Sequence, residues 1–254
     1  MSSIYENFKR ECKEFAGNQF KDANFKKISK EWLKLSEEFK YSYNFEWLGR
    51  PIIQYPQDIV ATQEIIFDVK PDLIIETGIA HGGSLIFSSS QLCILDVIEG
   101  IDPRTSSRKV VGIDIDIRSH NRNAIDNHPL SFKIEMIEGS SIDEKIVEKV
   151  KNISKNYKNI LVFLDSNHEE NHVLGELNAY ANLVSKNSYC IVYDTSIEEI
   201  PQGRYADRSW DVGNNPMSAI KKWLPDNPNF EINKEIDKKL MISDAPHGYL
   251  RRKY

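Results

Sequence analysis

From Pro71 onward, short apolar runs alternate with longer stretches in which apolar residues recur every three or four positions. The runs lie at 73–75, 110–113, 132–137, 160–164 and 189–193, and each predicts a strand. The stretches between them, at 84–98, 118–127, 142–151 and 169–184, predict helices. Strands this continuously apolar must be covered on both faces, which points to a parallel sheet. Right-handed crossovers then give a doubly wound, Rossmann-like α/β fold. The chain before this region has a different texture. Phe8, Cys12 and Phe15 recur at helical spacing, as do Trp32, Leu35 and Phe39, so two amphipathic helices are expected up to about residue 43. A turn at 47–51 and a helix at 58–69 follow. The expected organisation is a helical extension over 1–45, acting as a cap or an oligomer contact, and one main domain over 46–254.

Composition narrows the partners. The chain has 254 residues and a net charge of -5, which gives no basic surplus for a nucleic-acid backbone. Arg251, Arg252 and Lys253 form a short basic run that reads as a solvated tail. The three cysteines, Cys12, Cys93 and Cys190, are far apart and form no CxxC pair, as expected for free thiols in a reducing compartment. The N-terminus lacks an apolar signal-peptide core, and no run is long enough to span a bilayer. A cytoplasmic protein with no membrane partner is expected.

In a doubly wound sheet the ligand sits at the carboxyl ends of the strands, so the residue after each strand carries the chemistry. The first strand runs into Glu76, Gly78, His81, Gly82, Gly83 and Ser84, where glycines permit close backbone approach and a helix start offers free N–H groups. The second ends on Asp114, placed to accept ribose hydroxyls, with Asp116 as a ligand or a helix cap. After the third come Ser140 and Ser141, which serve either a cofactor or the next helix as cap. The fourth and fifth end on Asp165 and Asp194, two carboxylates suited to Mg²⁺ or another divalent cation, with His168 three residues beyond Asp165.

Taken together these stretches resemble the cephalosporin hydroxylase family, whose relatives include macrolide-sugar and rhamnosyl O-methyltransferases. The similarity runs from Trp47 to the C-terminus, through PDLIIETGIAHGGS, VVGIDID, VFLDSNHEENHVLGEL, VYDT, WDVGNNPMSAIKKWL and HGYLRR. The resemblance implies an S-adenosylmethionine-dependent, Mg²⁺-assisted O-methyltransferase. It places Glu76, Gly78 and Asp114 around the cofactor, Asp165 and Asp194 on the metal, and His168 as the base. The family usually has an acid immediately before the second metal Asp, and here that position is Tyr193. Tyr193, Tyr205, Trp210 and Asp211 are the expected substrate-side residues. The expected substrate is a sugar or nucleotide-linked sugar in surface-polysaccharide or glycoside synthesis, handled by a homo-oligomer.

Other readings compete. His168, Glu169 and His172 fit the H-E-x-x-H pattern of zinc hydrolases, which requires both histidines on one helix face. Asp165, His168 and His172 have the composition of an iron triad. A non-catalytic protein would keep the glycine turn for an adenosyl ligand and ignore the metal.

Overall fold

The computed structural model describes residues 2–204 and 206–254. Five strands follow one another in parallel: β3 (Leu73–Thr77), β4 (Lys109–Asp114), β5 (Ile134–Glu138), β6 (Ile160–Leu164) and β7 (Tyr189–Val192). They belong to a seven-stranded sheet of order β5-β4-β3-β6-β7-β9-β8, in which β9 (Tyr249–Arg252) runs antiparallel to both β7 and β8 (Phe230–Ile232). A small hairpin of β1 (Glu46–Trp47) and β2 (Arg50–Pro51) stands apart. The order reverses between β3 and β6, and both strands end at this switch point.

Period-two alternation divides the core. Leu73, Ile75, Val162 and Leu164 face one side, against α6 (Glu144–Ser154), α7 (Glu170–Tyr180) and α8 (Pro216–Trp223). Ile74, Leu161, Phe163 and Ile191 face the other, against α3 (Pro56–Val69), α4 (Gly83–Ile98) and α5 (Ser119–Asp126). The third strand starts later than expected, because Ser131–Lys133 forms a 3-10 turn. Its Lys133 side chain is buried and meets Asp96 at 2.6 Å, while Arg108 closes on the other carboxylate oxygen. Burial works to raise the Asp96 carboxyl, but hydrogen bonds from Lys133, Arg108 and Ser106 outweigh it and hold it below its ordinary value. Lys133→Met leaves one buried charge short of its partner, so we expect a loss of about 3 kcal/mol, read by denaturant unfolding. An unchanged midpoint would mean that Arg108 alone suffices.

The first helices pack on this domain. Helix α1 (Ser2–Lys21) rests against α2 (Ala23–Glu38) and α9 (Lys234–Leu240), with Gln19 Nε2 donating to the Lys238 carbonyl at 2.7 Å. Helix α2 buries Leu33 and Ser36, and the Ser36 hydroxyl bonds Tyr55 at 2.8 Å. Ile4, Phe8 and Phe15 of α1 stay exposed. All three cysteines are free thiols, and among the described residues no helix is long and apolar enough to cross a membrane.

Candidate active site

The registers Thr77↔Leu164 and Leu164↔Val192 bring the residues after β3, β6 and β7 to one edge of the sheet. Gly78 turns there with φ +87°, and a Cβ on it would lie 1.9 Å from the Asp165 carbonyl oxygen. Only glycine lets this turn rest directly on the β6 exit. Asp114 fastens the turn from β4: its Oδ2 accepts from Ile79 N at 2.8 Å and Ala80 N at 3.3 Å, and its Oδ1 from Asp116 N at 3.1 Å. Arg50 grips the far side, donating to the His81 carbonyl through Nε at 2.9 Å and Nη2 at 2.6 Å. Below the turn, Glu76 is 2% exposed. Ser84 donates to one of its oxygens, and the other has no partner among the described residues. Burial pushes this carboxyl up to about 8, against the opposing effect of Ser84.

Two cavities open at this edge. One, of about 480 Å³, is bounded by Asp114, Ile115, Ser140, Ser141 and His172. The other, of about 430 Å³, is bounded by Glu37, Tyr43, Gln54, His81, Gly83, Ser84, Asp194 and Asp244. Gly78, Asp165, Ser166, His168 and Trp210 border both, so the cavities meet along that wall. The first has the polar inventory an adenosyl group needs: a carboxylate for hydroxyls, two serines and a glycine turn. The buried, half-satisfied carboxyl of Glu76 nearby suits an ammonium group.

At the meeting point one ligand atom each from Asp165, His168 and Asp194 lie within 4.8 Å of one another. Asp194 follows β7 with φ 56°, a left-handed conformation that aspartate tolerates. His168 Nδ1 lies 3.1 Å from Asp194 Oδ2, and the Trp210 ring meets the imidazole edge-on at 5.2 Å. Burial first, then the neighbouring charge of Asp194, hold the Asp165 carboxyl well above the ordinary carboxylate range. Two hard carboxylates this close fit a divalent cation, which would relieve their repulsion.

Several expected residues fall elsewhere. Tyr193 is core, not substrate wall: alternation from Ile191 carries it to the α3 face, where its ring meets Phe163 and its hydroxyl bonds Thr62 at 2.9 Å. Asp211 staples its own loop, accepting from Gly203 N and Val212 N at 2.8 Å. Gly82 is buried, with Ile125 where a Cβ would stand, so it shapes the turn and does not face a ligand. Neither Ser140 nor Ser141 caps α6; Asp143 does, accepting from Lys145 N at 2.9 Å. Asp116 caps nothing either, since α5 starts after Arg118 without a side-chain cap. The H-E-x-x-H match does not form a zinc site. His168 precedes α7, and His172 Nε2 is taken by Ser141 Oγ at 3.0 Å and Ser166 Oγ at 3.2 Å. The same geometry removes His172 from an iron triad. Tyr205 lies outside the described residues.

Other site residues carried no signal in the sequence. Tyr43 and Glu37 come from the helical extension, and Asp244 from the stretch after α9, each far in the chain from the glycine turn. Arg50 lay within a recognised turn motif, but nothing in its spacing announced the grip on His81.

Comparison with known proteins matches residues 39–253 to the family described as Rhamnosyl O-methyltransferase/CmcI. Among curated proteins, a Rhamnosyl O-methyltransferase of Mycobacterium tuberculosis (strain ATCC 25618 / H37Rv) is 28% identical over 194 residues, 75% of this chain and 71% of that one. One from Mycobacterium leprae (strain TN) is 27% identical over 210 residues, 82% of each chain. Among solved structures, a CmcI apo structure superposes with TM-score 0.54 at 20% identity, covering 84% of this chain and 77% of that one. A CmcI structure described as Mg-SAM gives TM-score 0.54 at 16% identity, covering 84% and 78%. At these identities the structural likeness speaks for the fold.

Proposed function

Because the chain belongs to the Rhamnosyl O-methyltransferase/CmcI family and is an O-methyltransferase, we infer that it uses S-adenosylmethionine to methylate a hydroxyl of a sugar or nucleotide-linked sugar, with Mg²⁺ or a similar cation. The observation that carries this is the shared wall: two cavities meet at Asp165 and His168, one equipped for an adenosyl group and the other lined with polar side chains. The curated relatives, named for rhamnosyl groups, support a sugar acceptor and a setting in glycoside or surface-polysaccharide assembly. The exposed apolar face of α1 supports a homo-oligomer, and the free thiols a reducing, cytoplasmic setting.

Glu76, Asp114, Ser140 and Ser141 would hold the cofactor, and Asp165 and Asp194 the cation. When bound, these groups supply an activated methyl and a positive charge beside the acceptor oxygen. The chain's own residues do the rest. Asp194 fixes the imidazole through Nδ1, which leaves Nε2 of His168 to receive the hydroxyl proton. Trp210 braces the ring from its edge. Holding the reacting oxygen at the junction of the two cavities supplies the alignment on which the rate of a displacement depends.

Calorimetric titration of S-adenosylhomocysteine, with Mg²⁺ and then with EDTA, tests the reading. Binding in both conditions is expected, since the cation residues border the acceptor cavity as well. Absence of binding in either would overturn it.

A further inference from the structure

His172 holds no zinc, yet its imidazole is the middle of a buried polar chain. Four side chains from three segments take part: Ser141 after β5, Ser166 after β6, and His172 and Glu176 one turn apart on α7. We propose that this chain holds the Ser141 hydroxyl as a fixed hydrogen-bond donor to a ring nitrogen of the cofactor's adenine, with Glu176, Ser166 and His172 as positioning residues. This deepens the cofactor reading above and rests on it.

Counting donors sets the direction. Glu176 is 0% exposed, and a carboxylate can only accept. Ser166 Oγ donates to its Oε1 at 2.6 Å, and Oε2 has no partner among the described residues. A serine has one proton, so Ser166, having given its own to Glu176, can only accept from another neighbour. That neighbour is His172 Nε2, at 3.2 Å. Nε2 must then carry a proton, since a bare nitrogen would set lone pair against lone pair. Ser141 Oγ lies 3.0 Å from the same nitrogen and accepts from it as well. The O–H of Ser141 is thereby unspent, and it has no other acceptor among the described residues.

Placement says where that proton goes. Ser141 is 4% exposed and borders the cavity equipped for an adenosyl group, not the acceptor cavity. Ser166 and His172 border the same cavity, so the relay lies in its wall. Tyr180 OH, also on α7, donates to the Ser141 carbonyl and fixes its backbone from the same helix. The ring nitrogens of adenine accept and do not donate, whereas the exocyclic amino group donates. A hydroxyl with its proton unspent fits a ring nitrogen, because bonding the amino group would leave that proton unpaired at a cost. The relay therefore selects by direction: it takes a base that presents a lone pair at this place and refuses one that presents C–H or N–H.

The 1-deaza, 3-deaza and 7-deaza analogues of S-adenosylhomocysteine each replace one ring nitrogen by C–H. Calorimetry on the full chain is expected to show one of them binding about three- to tenfold more weakly than the parent, the yield of one hydrogen bond. Ser141→Ala is expected to weaken the parent by that factor and leave that analogue unchanged, erasing the preference. His172→Leu, which removes the N–H, is expected to cut the preference to below about twofold, and His172→Gln, which restores an N–H, to recover it. Thermal melts check that each variant is folded. If Ser141→Ala keeps the wild-type preference, or wild type shows none, the proposal falls and the cofactor reading stands. If His172→Leu weakens parent and analogue alike, the relay is a packing element and the proposal falls. If wild type binds neither S-adenosylhomocysteine nor any analogue, the cofactor reading falls with it.

Discussion

His168→Ala slows methyl transfer by about 10²–10⁴-fold, the usual contribution of a well-placed base, while S-adenosylhomocysteine binds nearly as before. The separation of effects follows from position. His168 stands on the wall shared by the two cavities, whereas the turn beneath the cofactor cavity is fixed by Gly78, Asp114 and Arg50. Turnover of a rhamnosyl acceptor, set beside calorimetry of the cofactor product, reads both quantities. Parallel loss of turnover and cofactor affinity would instead make His168 a structural prop, with Trp210 and Asp194 losing their packing partner.

Glu76→Gln produces two shifts of opposite sense. The carboxyl has an ordinary value of 4.5 and is raised by burial to about 8 in the folded chain. Below about pH 4.5 it is protonated folded or unfolded and contributes nothing to the pH dependence. As pH rises toward 8 the unfolded chain gives up this proton more readily than the folded one, so stability falls across that window and levels off above it. A shift of this size corresponds to at most about 5 kcal/mol. Glutamine keeps the shape and can still accept from Ser84 but carries no charge. The variant should therefore melt higher than wild type at pH 8, by the equivalent of about 2–4 kcal/mol, and the difference should vanish near pH 4. Cofactor affinity moves the other way, by about tenfold or more, because the ammonium group loses a buried counter-charge. Melting curves across pH and one titration decide it. A pH-independent difference in stability would show that burial does not raise the carboxyl and that it ionises alike in the folded and unfolded chain.

The central sheet was readable because burial on both faces writes strands as apolar runs. Residues 160–164 and 189–193 come within one residue of β6 and β7, and the strand ends then locate Asp165 and Asp194. Two kinds of error remained. The first came from direction. Tyr193 sits beside Asp194 in sequence, but alternation sends neighbouring side chains to opposite faces, and only the packing of Thr62 and Phe163 reveals which face is which. The second came from the return of the chain. Strand β9 reads Tyr249-Leu250-Arg251-Arg252, two apolar residues followed by two arginines, and makes no apolar run. Without β9 there is nothing to bring Asp244 back to Asp194, some fifty positions earlier. The tail expected to be solvated is this strand, and Arg252 holds the Val184 carbonyl at 2.6 Å. Helix caps failed for a related reason: Asp143, Ser140 and Ser141 are all competent caps, and the winner is set by where the helix axis starts.

The end of α2 and the 3-10 turn Tyr41–Asn44 border the cavity proposed for the acceptor, while the glycine turn, Asp165, His168 and Asp194 follow strands β3, β6 and β7. On the proposed reading, the leading segment adds a wall to the acceptor cavity without supplying any of the reacting groups. Grafting the leading segment of one family member onto the sheet of another amounts to changing the lock and leaving the bolt in place. On that reading, changes at Glu37, Lys40 and Tyr43 would alter this wall and leave the methyl-transfer apparatus in place.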